Sequence, residues 1–359
     1  MDIISMVKSA QTRGASDLHL AISSRPVIRI AGDLYTLNEY QPVTEDDINK
    51  AFRQLASDTE INTFNEQLEL DFSQTLSNVG RIRCNVNKQN NSTNLTIRLV
   101  PSKIPTIEEL GLPDICKELI LRPRGLVVVS GPTGSGKSTT LSAMINYLNQ
   151  VERRRIVTIE DPVEYIYSNE KSLITQREVG QDTHSFTGAL RHVLRQDPDV
   201  ILIGEMRDYE TAATALTVAE TGHLVLTTGH ATGAAQAVER IVNLFPYEER
   251  PLAQARLASF LIAVLCQILV PRANEAGRVP AVEVMVACPA VTNTIREGRL
   301  FQLHNAIMTH AKLGMILLDN ALTRLYKRGL ITNETMFTFC NDPEEINKLL
   351  AMSSTYVTS

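Results

Sequence analysis

One string of eight residues limits what this 359-residue chain can fold into more than any other: Gly131-Pro132-Thr133-Gly134-Ser135-Gly136-Lys137-Ser138. It follows the apolar run Leu126-Val127-Val128-Val129. It precedes Thr139 and the helix-favouring stretch Thr140-Leu141-Ser142-Ala143-Met144-Ile145. A glycine-rich turn between a strand and a helix lets backbone N–H groups wrap a polyphosphate. The helix N-terminus adds partial positive charge at the same place. Residues 131–139 therefore read as a cradle for a nucleoside triphosphate, ATP being the expected one. Lys137 is expected to reach the β- and γ-phosphates, and the Ser138 hydroxyl to ligate Mg²⁺.

The charge balance narrows the work such a site can do. Forty acidic residues stand against 35 basic ones, for a net charge of −5. With no basic-aromatic tract, this argues against a motor that moves nucleic acid, so no nucleic-acid partner is expected. An apolar content of 43% suffices for full cores and excludes a disordered chain. Cys84, Cys116, Cys266, Cys288 and Cys340 are scattered and form no C-x-x-C pair. Inert thiols in a reducing compartment are the plain reading. The start Met1-Asp2-Ile3-Ile4-Ser5 has no basic stretch of the kind that opens a signal peptide. The most apolar segment, Leu257 to Val270, reads as a core or interface helix too short to span a bilayer. A cytoplasmic protein is expected.

Organisation along the chain predicts an α/β protein. Residues 1 to about 100 read as a mixed α/β unit, with Val27–Ile30, Arg81–Val86 and Leu95–Leu99 alternating like half-buried strands. The polar stretch Asn85 to Asn94 reads as the hairpin loop between two of them. Residues 101–123, punctuated by Pro101, Pro105, Pro113 and Pro123, read as a stiffened linker with a helix candidate at Ile107 to Leu121. Residues 124–359 alternate strand-like and helical patterns, which predicts a parallel sheet with helices on both faces. From about Pro246 onward the pattern reads as helical.

Three further groups carry chemistry. In Thr158-Ile159-Glu160-Asp161-Pro162-Val163-Glu164, carboxylates fall where an apolar strand ends. The carboxyl ends of parallel strands form the ligand crevice of such a sheet. A carboxylate there can orient the water that attacks the γ-phosphate; a solvated acidic turn is the alternative. In Ile201-Leu202-Ile203-Gly204-Glu205, a Gly takes the place an Asp might hold, and Glu205 becomes the candidate for the Mg²⁺ shell. His230, in Thr228-Gly229-His230-Ala231, lies at a strand's carboxyl end, while His223 precedes that strand. Outside this group, Arg81 and Arg83 share one strand face, and Arg98 follows on the next strand. If these strands pair, the three arginines form a patch that could act on a neighbour's nucleotide within a ring; a solvated face is the alternative.

Together these residues resemble the PilT family, hexameric ATPases that retract type IV pili and belong to the secretion ATPase superfamily. Gly14-Ala15-Ser16-Asp17-Leu18-His19-Leu20, Thr158 to Glu164, Gly204 to Asp208 and Gly222 to Gly233 look like that family's motifs, so the resemblance spans nearly the whole chain. It implies an N-terminal PAS-like domain and a C-terminal RecA-like P-loop ATPase domain with a helical C-terminal region. It also implies Glu160 as the catalytic carboxylate, Glu205 as the Walker B acid, and Arg81, Arg83 and Arg98 as arginines offered to the neighbouring site. Arg195 stands in a further family motif. The implied partners are a homohexamer, an inner-membrane platform protein at the cytoplasmic face, and a paralogous ATPase. Two departures stand out. The family's Leu-His-Thr reads Gly229-His230-Ala231 here, and its Ala-Ile-Arg-Asn-Leu-Ile-Arg-Glu reads Ala290-Val291-Thr292-Asn293-Thr294-Ile295-Arg296-Glu297. These leave room for a PilU-like accessory retraction ATPase or a secretion or conjugation relative.

Overall fold

The computed structural model describes residues 2–30, 32–77, 79–100, 103–274 and 277–354. Pro101 of the predicted linker lies outside them. The chain divides into two compact units, Met1–Lys103 with Glu164–Ile166, and Ile104–Val163 with Tyr167–Ser359.

The first unit contains β1 (Asp17–Leu20), β2 (Val27–Ile30), β3 (Asp33–Thr36), β4 (Glu69–Leu76), β5 (Gly80–Gln89) and β6 (Ser92–Leu99), with helices α1 (Ile3–Thr12), α2 (Glu45–Leu55) and α3 (Asp58–Gln67). The strands form one antiparallel sheet in the order β3-β2-β1-β6-β5-β4. Thr44 with Asp47 and Ser57 with Glu60 form capping boxes that start α2 and α3. Alternation decides the faces. Ile82, Cys84, Val86, Leu95, Ile97 and Leu99 enter a core shared with Met6, Ile48, Phe52 and Phe64. Arg81, Arg83 and Asn85 therefore point to the other face. The β5–β6 loop is shorter than its polarity predicted. Gln89 pairs with Ser92, and only Asn90 (φ 48°) and Asn91 (φ 66°) turn the chain. Asn tolerates this left-handed backbone, so the polar run belongs mostly to strands.

The second unit contains β7 (Gly125–Ser130), β8 (Arg155–Glu160), β9 (Leu173–Glu178), β10 (Val200–Ile203), β11 (Leu224–Thr228), β12 (Leu261–Pro271) and β13 (Arg278–Val286). Its helices are α4 (Ile115–Ile120), α5 (Lys137–Val151), α6 (Phe186–Val193), α7 (Tyr209–Glu220), α8 (Ala234–Asn243), α9 (Arg250–Phe260), α10 (Pro289–Arg296), α11 (Leu303–Thr309), α12 (Leu318–Lys327), α13 (Asn333–Phe339) and α14 (Pro343–Ser354). The strand order is β13-β12-β7-β11-β10-β8-β9, parallel except for the antiparallel β12–β13 pair. Leu126, Val128, Ile201 and Ile203 pack on one side with α6 to α9, and Val127, Val129, Val200 and Leu202 pack on the other with α4 and α5. Both faces are thus covered, which is why these strands read as continuous apolar runs.

The segment from Pro246 is not uniformly helical, because it contributes β12 and β13 to the sheet. The run read as a helix at Leu257 to Val270 ends α9 at Phe260 and then becomes β12. The segment before β7, read as a stiffened linker with a helix at Ile107 to Leu121, instead packs into the second unit. Ile107, Leu112, Cys116 and Leu119 are buried in the second unit's core, and only Ile115–Ile120 is α-helical.

Buried Glu283 on β13 joins two helices. Its Oε1 accepts the Ala234 N–H at 2.7 Å, where α8 starts, and its Oε2 accepts the Leu318 N–H at 3.3 Å, where α12 starts. Burial pushes this carboxyl above the ordinary carboxylate range despite those two bonds.

Candidate active site

Parallel pairing brings four chain segments to one edge. Val129 on β7 is level with Thr228 on β11, Thr227 with Ile203 on β10, and Ile203 with Ile159 on β8. The carboxyl ends of β7, β11, β10 and β8 therefore carry, side by side, the 131–139 loop, His230, Glu205 and Glu160.

The loop runs from Gly131 to α5, whose first residue is Lys137. Gly131 (φ 146°) and Gly136 (φ 87°) take backbone angles that favour glycine. Lys137 Nζ donates to the carbonyls of Gly131 (2.9 Å) and Pro132 (3.0 Å), so the ammonium is held across the loop. Ser138 and Thr139, half-buried, occupy the first turn of the helix. Among the described residues, buried Ser135 Oγ has no hydrogen-bond partner. An orphaned hydroxyl and a cationic head beside a helix N-terminus fit a polyphosphate.

Glu160 ends β8 and is 8% exposed. Thr158 Oγ1 donates to its Oε1 at 2.6 Å, and Gln176 Nε2 on β9 donates to the same oxygen at 3.3 Å. The turn that follows is held by buried Glu178, which accepts the Val163 N–H at 2.9 Å. Gly204 explains itself here. A Cβ at that position would lie 3.3 Å from Glu160 Cα and 3.2 Å from the Ile159 carbonyl oxygen. The Asp that might have stood there would crowd the strand end carrying Glu160.

Glu205 follows Gly204. His230 Nε2 and Arg207 Nε both donate to its Oε1. Burial pushes its carboxyl up, but the bonds from Arg207 and His230 outweigh burial and hold it below the ordinary carboxylate range. His230 is fixed from below as well, since Ser130 Oγ donates to the Ala231 carbonyl at 2.7 Å. A Cβ on Gly229 would meet Ser130 Oγ at 3.2 Å, so the small residue beside His230 matches a filled space beneath it. His223 sits at the opposite end of β11, where its Nδ1 lies 3.2 Å from the Val218 carbonyl. That is a local helix-end contact, away from the site.

The three arginines lie in the first unit. Arg83 pairs with Arg98 across β5 and β6, and Arg98 pairs with Asp17 across β6 and β1. Arg98 Nε donates to buried Asp17 at 2.9 Å. Arg98 is thereby part of a cross-strand ion pair, and Arg81 and Arg83 occupy the same sheet face. Arg195 is exposed, in the short turn after α6. Among the described residues no group of three or more His, Cys, Asp or Glu could hold a metal ion. Mg²⁺ needs no such cage, since it is ordinarily held by one or two protein oxygens, phosphates and water.

Sequence reading missed Gln176 and Gln267. The latter lies on β12, and its Nε2 donates to the Ser135 carbonyl at 2.7 Å. No local pattern marks either residue, although a lone amide in an otherwise apolar run was a usable signal for Gln267.

A phosphate loop on a parallel sheet, with carboxylates at the neighbouring strand ends, defines a P-loop ATPase. The chain belongs to the Type II/IV secretion system protein family, whose family model matches residues 2–338. It is 44% identical to the type IV pilus retraction ATPase PilT of Pseudomonas aeruginosa, over 96% of this chain and 99% of that one. It is 36% identical to the type IV pilus ATPase PilU of the same organism, over 99% and 92%. A crystal structure of the pilus retraction motor PilT with bound ADP superposes with a TM-score of 0.91 at 41% identity, covering 97% of this chain and 99% of that one. Among the described residues no helix is long and apolar enough to cross a membrane.

Proposed function

We propose that this protein is an ATP-hydrolysing motor that drives type IV pilus retraction. Three acidic or titratable side chains at adjacent strand ends beside a phosphate loop carry the ATPase reading. Similarity to PilT over almost its entire length carries the pilus reading. Residues 131–139 bind the phosphates, with Lys137 leaving the loop carbonyls for the β- and γ-phosphate oxygens. Ser138 and Glu205 are the residues that would hold Mg²⁺, which offsets phosphate charge when bound. Glu160, aimed by Thr158 and Gln176, orients the attacking water. His230 ties the β11 end to Glu205, so loss of the γ-phosphate is felt on two strands at once.

In this reading the first unit is the PAS-like domain and the second the RecA-like ATPase domain. The assembly is a homohexamer working on an inner-membrane platform protein at the cytoplasmic face. Arg81 and Arg83 act on a neighbouring subunit's nucleotide, with Arg98 holding the sheet beside them. The altered Gly229-His230-Ala231 and residues 290–297 keep a PilU-like accessory role as the second reading.

The test is steady-state phosphate release by the purified chain, with its mass by light scattering, for wild type and Glu160→Gln. Turnover in a six-subunit particle, reduced at least about 100-fold in the variant with nucleotide affinity kept, is the expected result. A nucleotide-bound wild type with no turnover selects the accessory reading. Turnover untouched by Glu160→Gln removes Glu160 from the mechanism.

A further inference from the structure

Gln267 is 4% exposed and bonds to both the phosphate loop and the helix after it. Its Nε2 donates to the Ser135 carbonyl at 2.7 Å, and its Oε1 accepts from Thr140 Oγ1 at 2.7 Å. Ser135 is inside the loop, and Thr140 is in the first turn of α5. The amide thus links the loop to the helix that receives it. The main chain of β12 presses on the same loop. A Cβ on Gly131 would lie 2.2 Å from the Gln267 carbonyl oxygen, and a Cβ on Gly136 2.9 Å from its Nε2. Gly131 is therefore required by the main chain of β12, whatever the nucleotide requires of it, and Gly136 leaves room for the Gln267 amide itself.

The chemistry selects an amide. A main-chain carbonyl only accepts, so the group facing Ser135 must donate. The Thr140 hydroxyl needs an acceptor. Glutamine supplies both in one planar group. Glutamate would set an oxygen against the Ser135 carbonyl, and leucine would leave both polar groups buried and unpartnered.

We propose that Gln267 is a positioning residue for nucleotide binding, holding residues 131–140 in their phosphate-ready shape before nucleotide arrives. The proposal rests on the reading of residues 131–139 as the nucleotide cradle. Without the amide the loop samples other shapes, and the apparent Kd rises by the inverse of the competent fraction. Glu160 ends β8 and Glu205 follows β10, so neither depends on β12 and chemistry on bound ATP continues.

The test uses the full chain with Gln267→Leu, Thr140→Val and the double variant. A fluorescent ADP analogue is titrated against each, turnover is followed across ATP concentration, and unfolding is recorded without nucleotide. Lys137→Ala reports on the cradle itself: if it keeps wild-type affinity, the cradle reading fails whatever Gln267 does. Gln267→Leu is expected to raise Kd and KM about tenfold, as for a competent fraction cut to about a tenth, with kcat within about threefold. Thr140→Val raises both by about threefold, and the double variant matches Gln267→Leu, because both act through one network. A residue that merely supports the fold would lower the melting temperature and leave the affinity of the folded protein unchanged. Wild-type affinity in folded Gln267→Leu overturns the proposal, as does a fall in kcat at unchanged KM, or losses that multiply in the double variant. If Gln267→Leu does not fold, unchanged affinity in Thr140→Val overturns it.

Discussion

Glu160 shows how a single side chain is aimed. Thr158 lies two residues earlier on the same strand, so the pleat places both side chains on one face, and the hydroxyl reaches the carboxylate. Thr158→Val keeps the shape and removes that bond. It should lower kcat about tenfold, less than the roughly 100-fold or more expected for losing the base itself, with KM nearly unchanged. Gly131→Ala is expected to destabilise the protein by about 2–3 kcal/mol in a denaturant titration, since its Cβ has no room beside β12. Glu283 gives a pH signature. Its folded pKa is raised above the ordinary value of about 4.3, so the unfolded chain releases its proton first as pH rises. That contribution is complete below about pH 4 and is lost as pH climbs through the folded value. The stability difference between wild type and Glu283→Gln should therefore shrink from pH 4 to 7, and a constant difference would show that the carboxyl titrates normally. Legibility at this scale follows locality. Residues 131–139, Glu160, Glu205 and His230 stand in short contiguous strings, each ending an apolar run, and could be picked out one string at a time. Gln267 stands out in the sequence only as a lone amide in an apolar run; its role could not be read, because its partners Thr140 and Ser135 lie 127 and 132 positions away in the chain.

Among the elements, the strands of the sheet interior were readable because burial on both faces makes them continuous apolar runs of four to six residues between turn signals. β12 was not. Its run joins the end of α9 without a break, and an apolar stretch of that length has the same look in either state. The useful trace is β-branching, with Ile262, Val264, Ile268 and Val270 on alternate positions and Pro271 at the end. β13 carried the same trace in Val282, Val284 and Val286. Leu265 on β12 is fully buried against the face that carries α5. Leu265→Ala should cost about 2–5 kcal/mol and should also weaken ADP binding, because it loosens the strand that bears Gln267. A destabilised variant with unchanged affinity would separate the strand from the site.

At the scale of the whole molecule, each compact unit has its own sheet and core, while the phosphate loop and strand-end carboxylates all lie in the second. Calorimetry should therefore resolve two transitions. Saturating ADP at about 100 times Kd adds about 2.7 kcal/mol, and only the second unit's transition should rise, by about 5–10 °C. A joint shift of both would mean the units unfold as one. The order of strands has a further consequence. β7, which leads into the phosphate loop, lies between β11 and β12, and both come later in the chain. On the ribosome, the strand bearing the loop stays without either neighbour until residues 224–228 have emerged, and is flanked on both sides only after residues 261–271 follow. A nascent chain halted before that point holds the complete phosphate-binding motif but lacks the strand that carries Gln267, so a growing polypeptide should capture nucleotide at full affinity only once the last parallel strand of its sheet is in place.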